Sequence, residues 1–220
     1  MSQTANKDII DFQKALLNWF QEHGRDFPWR RKKLSHYNLI VAEILLQRTR
    51  ADTIANFYPQ FIIDFPNWES LDKISTLALE TYLKPLGLSK QRAPRLKELA
   101  SAMIKNNNRI PNNRADLEAM PMMGQYIANA TELLILKRRL PLLDVNMARL
   151  LERFFGPRKI VDIRYDLYLQ KLAGCIADHV NSVEINWAIL DFASLVCRAK
   201  NPICLTCIFR EKCLYFNSLK

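Results

Sequence analysis

Glycine is scarce in this chain, with five in 220 residues, and no stretch alternates apolar and polar residues with a period of two. Without that alternation there is no signature of half-buried strands. An abundance of Leu, Ile, Ala, Lys and Arg with so little glycine favours helix instead. No run of ~18 apolar residues occurs, so no segment is expected to span a membrane. The opening residues Met-Ser-Gln-Thr-Ala-Asn-Lys-Asp lack the apolar core of a signal peptide. The chain is therefore expected to stay inside a cell, where its cysteines are not expected to form structural disulfides.

What is present is basic and well able to fold. The 25.7 kDa chain can form one large domain or two modest ones. Its composition, 49% hydrophobic and 25% charged, is that of a globular protein rather than a disordered one. A formal charge of +10 points to a polyanionic partner, nucleic acid first and an anionic membrane surface second.

The expected fold class is all-α with about ten helices. Ile9, Phe12, Leu16, Trp19 and Phe20 recur at helical spacing over 8–20, and Gly24 ends that helix. Residues 25–30 should be an extended connector, because Phe27 precedes Pro28. Arg30 to Lys33 form a basic run suited either to a solvated loop or to a phosphate contact. Helices are expected at 36–48, 51–64, 70–74 and 76–83, then over 89–107 with Ser89 as its cap. Lys90, Arg92, Arg95 and Lys97 crowd the start of that last helix, where cations oppose the dipole and hint at an external anion. Within 36–48, Glu43 interrupts an apolar run, and a surface-facing side chain is its default reading. Further helices are expected at 114–119, 125–137, 145–155, 165–179 and 185–197, with Asp144 at the start of the third.

Four of the five cysteines, Cys197, Cys204, Cys207 and Cys213, fall within one short stretch as Cys-x6-Cys-x2-Cys-x5-Cys. Loops of that length can wrap one metal centre. The single Cys-x-x-Cys step leaves zinc and an iron–sulfur cube both open. With every ligand position taken by protein, such a centre would be structural. The nearby Arg198, Lys200, Arg210 and Lys212 could then be presented to a phosphate backbone. Cys175 reads as a small buried hydrophobe.

Taken together these landmarks resemble the helix-hairpin-helix DNA glycosylases of the endonuclease III superfamily over nearly the whole chain. The carrying residues are Pro28-Trp29-Arg30, the run from Glu43 to Thr49, Gly87-Leu88-Ser89, Met120-Pro121-Met122-Met123-Gly124, Leu143-Asp144-Val145-Asn146 and the cysteine spacing. The resemblance implies a 4Fe–4S cluster on the four cysteines and a monovalent cation held by the hairpin. It implies two helical domains with DNA in the cleft between them. One is a six-helix barrel over 29–138 that contains the hairpin at about 114–137. The other joins 1–28 to 139–220, with the cluster loop at 197–213. The expected partner is double-stranded DNA with a mismatched or damaged base. The protein is expected to act as a monomer in the cytoplasm of a prokaryotic cell, associated with the nucleoid.

Family roles transfer residue by residue. Asp144 matches the essential aspartate, which stabilises the oxocarbenium-like sugar as the base of a flipped nucleotide leaves and helps activate water. Tyr126 stands where bifunctional members carry a Schiff-base lysine and adenine enzymes usually carry serine, so a lysine-type lyase step is not expected. It resembles the archaeal-type thymine/uracil mismatch enzymes, in which this tyrosine lines the base pocket. Glu43 is expected in the same pocket, bonding to or protonating the base. Arg48 and Leu88 match positions that fill the gap in the stack and contact the orphaned base, where arginine can read guanine edges. Gln47, Met122, Gly124, Gln125, Arg30, Arg198 and Lys200 are expected to touch DNA.

The implied activity is monofunctional removal of thymine or uracil opposite guanine. Adenine excision opposite guanine or oxidised guanine, and a non-catalytic iron–sulfur DNA-binding module, are the alternatives. The chain ends shortly after Cys213, so the extra domain with which adenine enzymes inspect oxidised guanine is not expected. The family hairpin usually has glycine where Met122 stands. If that position needs a positive φ, methionine strains it by about 1–2 kcal/mol.

Overall fold

The computed structural model describes residues 3–219, so Met1, Ser2 and Lys220, at the ends of the expected terminal domain, lie outside it. Among the described residues all regular structure is helical. The α-helices are α1 Gln3–His23, α2 His36–Leu46, α3 Ala51–Asp64, α4 Trp68–Lys73, α5 Thr76–Leu83, α6 Ser89–Lys105, α7 Arg114–Glu118, α8 Gln125–Leu134, α9 Val145–Phe155, α10 Leu167–Ala177, α11 Ser182–Leu195 and α12 Leu214–Asn217. None of these helices is long and apolar enough to cross a membrane. The chain divides into two compact units. One is Asp26–Thr131, and the other joins the residues up to Arg25 with those from Glu132 onward.

The core of the terminal unit comes from one face each of α1, α9, α10 and α11. Phe12 and Leu16, Met147 and Leu151, Leu169 and Ile176, and Ile189 and Phe192 are all buried there. Phe12 stacks on Phe209 at 4.5 Å, which ties α1 to the loop bearing the cysteines. Helix α1 ends at His23, and position 24 takes glycine because a Cβ there would lie 2.6 Å from the Phe20 carbonyl oxygen. Just past it, Arg25 donates through its backbone N–H (2.8 Å) and its Nε (2.9 Å) to the carboxylate of Asp191 on α11.

In the central unit α6 packs on both α4 and α5, and α2 packs on α3. The buried layer includes Ile44 and Leu45, Ile54 and Phe61, Leu71, Leu79, and Leu96 with Leu99. Tyr37 meets Trp68 edge-on at 4.8 Å, and its hydroxyl donates to the Phe65 carbonyl.

Several local expectations need correction. Phe27 is extended, but Pro28–Arg30 close a single 3-10 turn, since proline presets the φ that such a turn needs. Ser89 does not cap α6. The cap position is Leu88, in the left-handed region with no side-chain hydrogen bond. Helix α2 stops at Leu46, two residues early, because Gln47 turns extended-like at ψ 119°. Helix α8 stops at Leu134, where the Lys137 ammonium donates to the freed Leu134 carbonyl. The short α12 was not expected.

Two cations at the start of α6 turn inward, so their position against the dipole does not imply an external anion. Arg92 is buried and donates to the carbonyl of Leu45 and the hydroxyl of Thr49. Lys97 donates to the carbonyls of Asp72 and Ile74 at the end of α4, where a cation is favoured. Lys90 and Arg95 remain exposed.

Candidate active site

Asp144 opens α9 as its N-cap. One carboxylate oxygen accepts the backbone N–H groups of Asn146 at 2.9 Å and Met147 at 2.8 Å, and the other accepts the Asn146 side-chain amide at 2.7 Å. Burial pushes this carboxyl above its ordinary value of 3.8. The hydrogen bonds from Met147 and Asn146 and the charge of Arg149 pull the other way. Desolvation wins. A carboxyl raised by burial yet surrounded by donors for its charged form is poised to respond to charge developing nearby.

The supports of Asp144 are residues to which sequence reasoning gave no role. Arg149 donates through Nη1 to the Asn146 side-chain oxygen at 3.1 Å, through Nε to the carbonyl of Cys197 at 2.9 Å, and through Nη2 to that of Ala193 at 2.8 Å. Asn186, fully buried on α11, accepts the N–H of Leu142 at 2.6 Å and donates to the carbonyl of Leu140 at 3.1 Å. The chain leading into Asp144 and the helix leading out of it are both fixed to the region around α11. A signal for Arg149 was present, since it is a cation set directly among the apolar Ala148, Leu150 and Leu151 of α9.

In the central unit Tyr126, the second residue of α8, donates its hydroxyl to a carboxylate oxygen of Glu43 at 3.2 Å. Glu43 is 5% exposed, which overturns the reading of a surface glutamate. An apolar run with one buried acid is what a partnered carboxylate looks like in sequence, and the partner was 83 residues away.

The hairpin joins α7 to α8 through a tight turn in which the N–H of Met123 donates to the Met120 carbonyl at 3.2 Å. Met122 has φ 64°, so a methionine occupies the left-handed conformation that the glycine comparison anticipated. Gly124 is exposed, and its carbonyl accepts the N–H of Ala128 at 2.9 Å to start α8. Arg114 clamps the two helices, donating to the side-chain oxygen of Asn129 at 2.6 Å and to the carbonyl of Gln125 at 3.3 Å.

Gln47 and Arg48 are exposed at the end of α2, and Arg48 has φ 56°. Leu88 is 42% exposed with φ 54°, directly after Gly87 at φ 71°, ψ 169°, a conformation open essentially to glycine alone. Arg30 lies half-buried with its guanidinium 5.0 Å from the centre of the Phe27 ring.

Cys197, Cys204, Cys207 and Cys213 are half-buried free thiols that line one pocket together with Leu150, Phe154 and Tyr215. Burial pushes the Cys207 thiol up to about 11 and raises Cys204 as well. Arg153 of α9 points Nη1 at the Cys197 sulfur at 3.5 Å, and the thiol of Cys213 donates to the Arg153 carbonyl at 3.3 Å. No three His, Cys, Asp or Glu side chains among the described residues are arranged to hold a single ion. Four thiols around one pocket are a donor set of the number that a structural metal centre takes. Arg198 and Lys200 are exposed beside it, whereas Lys212 pairs with Asp11 of α1 at 2.9 Å and Arg210 donates to the Leu205 carbonyl at 2.9 Å.

A helical hairpin followed by an N-capping aspartate belongs to a known class. Residues 41–173 match the HhH-GPD superfamily of base excision DNA repair proteins, and the chain belongs to that family. Among its relatives, a thymine/uracil-DNA glycosylase of Methanothermobacter thermautotrophicus is 29% identical over 98% of both chains. Another thymine/uracil-DNA glycosylase, from Pyrobaculum aerophilum, is 32% identical over 95% of this chain and 93% of the relative. Among solved structures, a thermostable thymine-DNA glycosylase superposes with a TM-score of 0.87 at 28% identity, covering 97% of this chain and 98% of the other.

Replacing Met122 by glycine relieves the left-handed strain without removing a core side chain. Met122→Gly should raise stability to urea by about 1 kcal/mol. A variant less stable than the wild type would show that the methionine side chain contributes more through packing than its backbone costs.

Proposed function

We propose that the protein is a monofunctional DNA glycosylase of base excision repair that removes thymine or uracil mispaired with guanine and leaves an abasic site. The observation that carries this reading is Asp144, a desolvated carboxylate held by the first amides of α9. The named relatives support the choice of base.

The chemistry is set by charge. When the N-glycosidic bond breaks, its electron pair leaves with the base and the sugar becomes oxocarbenium-like. An ionised Asp144 stabilises that positive charge in a medium of low dielectric, where the interaction is stronger than in water. Water then adds at C1′ and gives up a proton, for which Asp144 is the acceptor. Tyr126 offers no amine, so no Schiff base forms through it and the strand stays uncut. The Tyr126–Glu43 pair supplies a fixed polar edge against which a pyrimidine can be bonded. Arg48 and Leu88 fill the gap left by the flipped nucleotide, and Arg48 contacts the orphaned guanine. Gln47, Gly124, Gln125, Met122 and Arg30 act along the strand. Arg198 and Lys200 supply sequence-independent phosphate contacts.

The four cysteines are the residues that would hold a 4Fe–4S cluster, which when bound supplies a rigid, fully ligated core rather than an open coordination site. Around it this chain's own contribution is positional. Arg149 and Arg153 carry the geometry of the cysteine loop to α9, and α9 carries Asp144.

A duplex panel over all mismatches tests the activity. The expected outcome is alkali-labile sites from G·T and G·U, abolished by Asp144→Asn, with no cleavage before alkali. Release of adenine alone would move the protein to the adenine class, and a wild type matching Asp144→Asn on every duplex would leave a binding module. Purified anaerobically, the protein should be brown and contain about four iron atoms per chain. A colourless protein with bound zinc would refute the cluster.

A further inference from the structure

Arg92 is a buried guanidinium on α6 that meets no carboxylate among the described residues. Its acceptors lie in the last turn of α2 and just after it: the carbonyl of Leu45 at 2.9 Å, the carbonyl of Gln47, and the hydroxyl of Thr49 at 2.7 Å. Its own backbone N–H donates to the carbonyl of Leu88 at 2.9 Å, closing the first turn of α6. One residue therefore grips two exposed tips that lie far apart in sequence, and each tip carries a non-glycine residue in the left-handed region, Arg48 at φ 56° and Leu88 at φ 54°. Such conformations persist only where surrounding bonds over-determine them, and they gather at functional sites. Drawing the carbonyls of Leu45 and Gln47 inward leaves the side chains of Gln47 and Arg48 exposed.

We propose that Arg92 is a positioning residue that ties the 47–49 turn to the start of α6, so that Arg48 and Leu88 enter the gap in the DNA stack as one preset pair. This rests on the proposed function, in which those two residues fill the gap. A loose pair would have to be ordered during each insertion, and the fixed pair avoids that cost.

The test uses the full-length protein and a duplex that it cannot cut, carrying a tetrahydrofuran abasic analogue opposite 2-aminopurine, whose fluorescence reports unstacking of the orphaned base. Because no bond is broken, absent glycosylase activity would not mask the result. Wild type should change the fluorescence on binding, and Arg48→Ala and Leu88→Ala should each lose most of the response. Arg92→Met should lose it while still binding duplex, and Arg92→Lys, which keeps a donor for part of the acceptor set, should recover some of it. Thr49→Val removes one of the three acceptors from outside the core and should weaken the response in the same direction. A full response from Arg92→Met overturns the proposal. Should that variant fail to fold by circular dichroism, an undiminished response from Thr49→Val does so instead. A full response from both Arg48→Ala and Leu88→Ala removes the gap-filling assignment itself, and the proposal with it.

Discussion

The capping of α9 by Asp144 is the interaction on which the rest of the terminal unit bears. A carboxylate at a helix start is ordinarily stabilising, because it satisfies orphan N–H groups and meets the positive end of the dipole. Here that ordinary cap is buried enough for desolvation to outweigh three hydrogen bonds. Neighbouring residues keep it in place from both sides. Asn186 fixes the backbone at Leu140 and Leu142 before it, while Asn146 and Arg149 fix the first turn of α9 after it. Arg149 and Arg153 then run on to the carbonyls and sulfur of the cysteine stretch. The geometry of the carboxylate and the geometry of the cysteine loop are thus one hydrogen-bonded problem.

In the central unit the corresponding theme is strain at turns. A chain with five glycines has few residues that adopt left-handed conformations without cost, yet Arg48, Leu88 and Met122 all adopt them. At about 1–2 kcal/mol each, the three together cost a sizeable fraction of a typical domain's stability. Arg92 and Arg114 are the compensating elements, each a cation spent on internal carbonyls and side-chain oxygens. The buried Glu43 belongs to the same pattern, tolerated because Tyr126 donates to it.

Much of this was legible in the sequence, for reasons of spacing. Periodicity placed α3 and α9 well, because each has a continuous apolar stripe and a distinct stop or cap, whereas α1 begins at Gln3, five residues before the start read from its apolar stripe. The N-cap role of Asp144 was readable from its position before an apolar run, and the left-handed turn at Met122 from the hairpin pattern. What escaped was whatever depended on a partner distant in sequence. Arg92 and Lys97 looked like cations awaiting an anion, when their partners were carbonyls 47 and 25 residues away. Glu43 looked solvated by spacing alone for the same reason, and only the family resemblance implied a pocket position. Leu88 as a cap could not be expected, since only the glycine before it and the backbone fit around it make a left-handed leucine tolerable.

The proposed chemistry rests on a desolvated, ionised Asp144 tuned by Arg149. Single-turnover excision of uracil from a G·U duplex, followed against pH, tests it most directly. Burial raises this carboxyl above 3.8, so the rate should fall on acidification through a midpoint above that value. Because the charge of Arg149 lowers the same group, Arg149→Met should move the midpoint further up. A rate that holds undiminished to below 3.8, or a midpoint indifferent to Arg149, would show that Asp144 is not the titrating group.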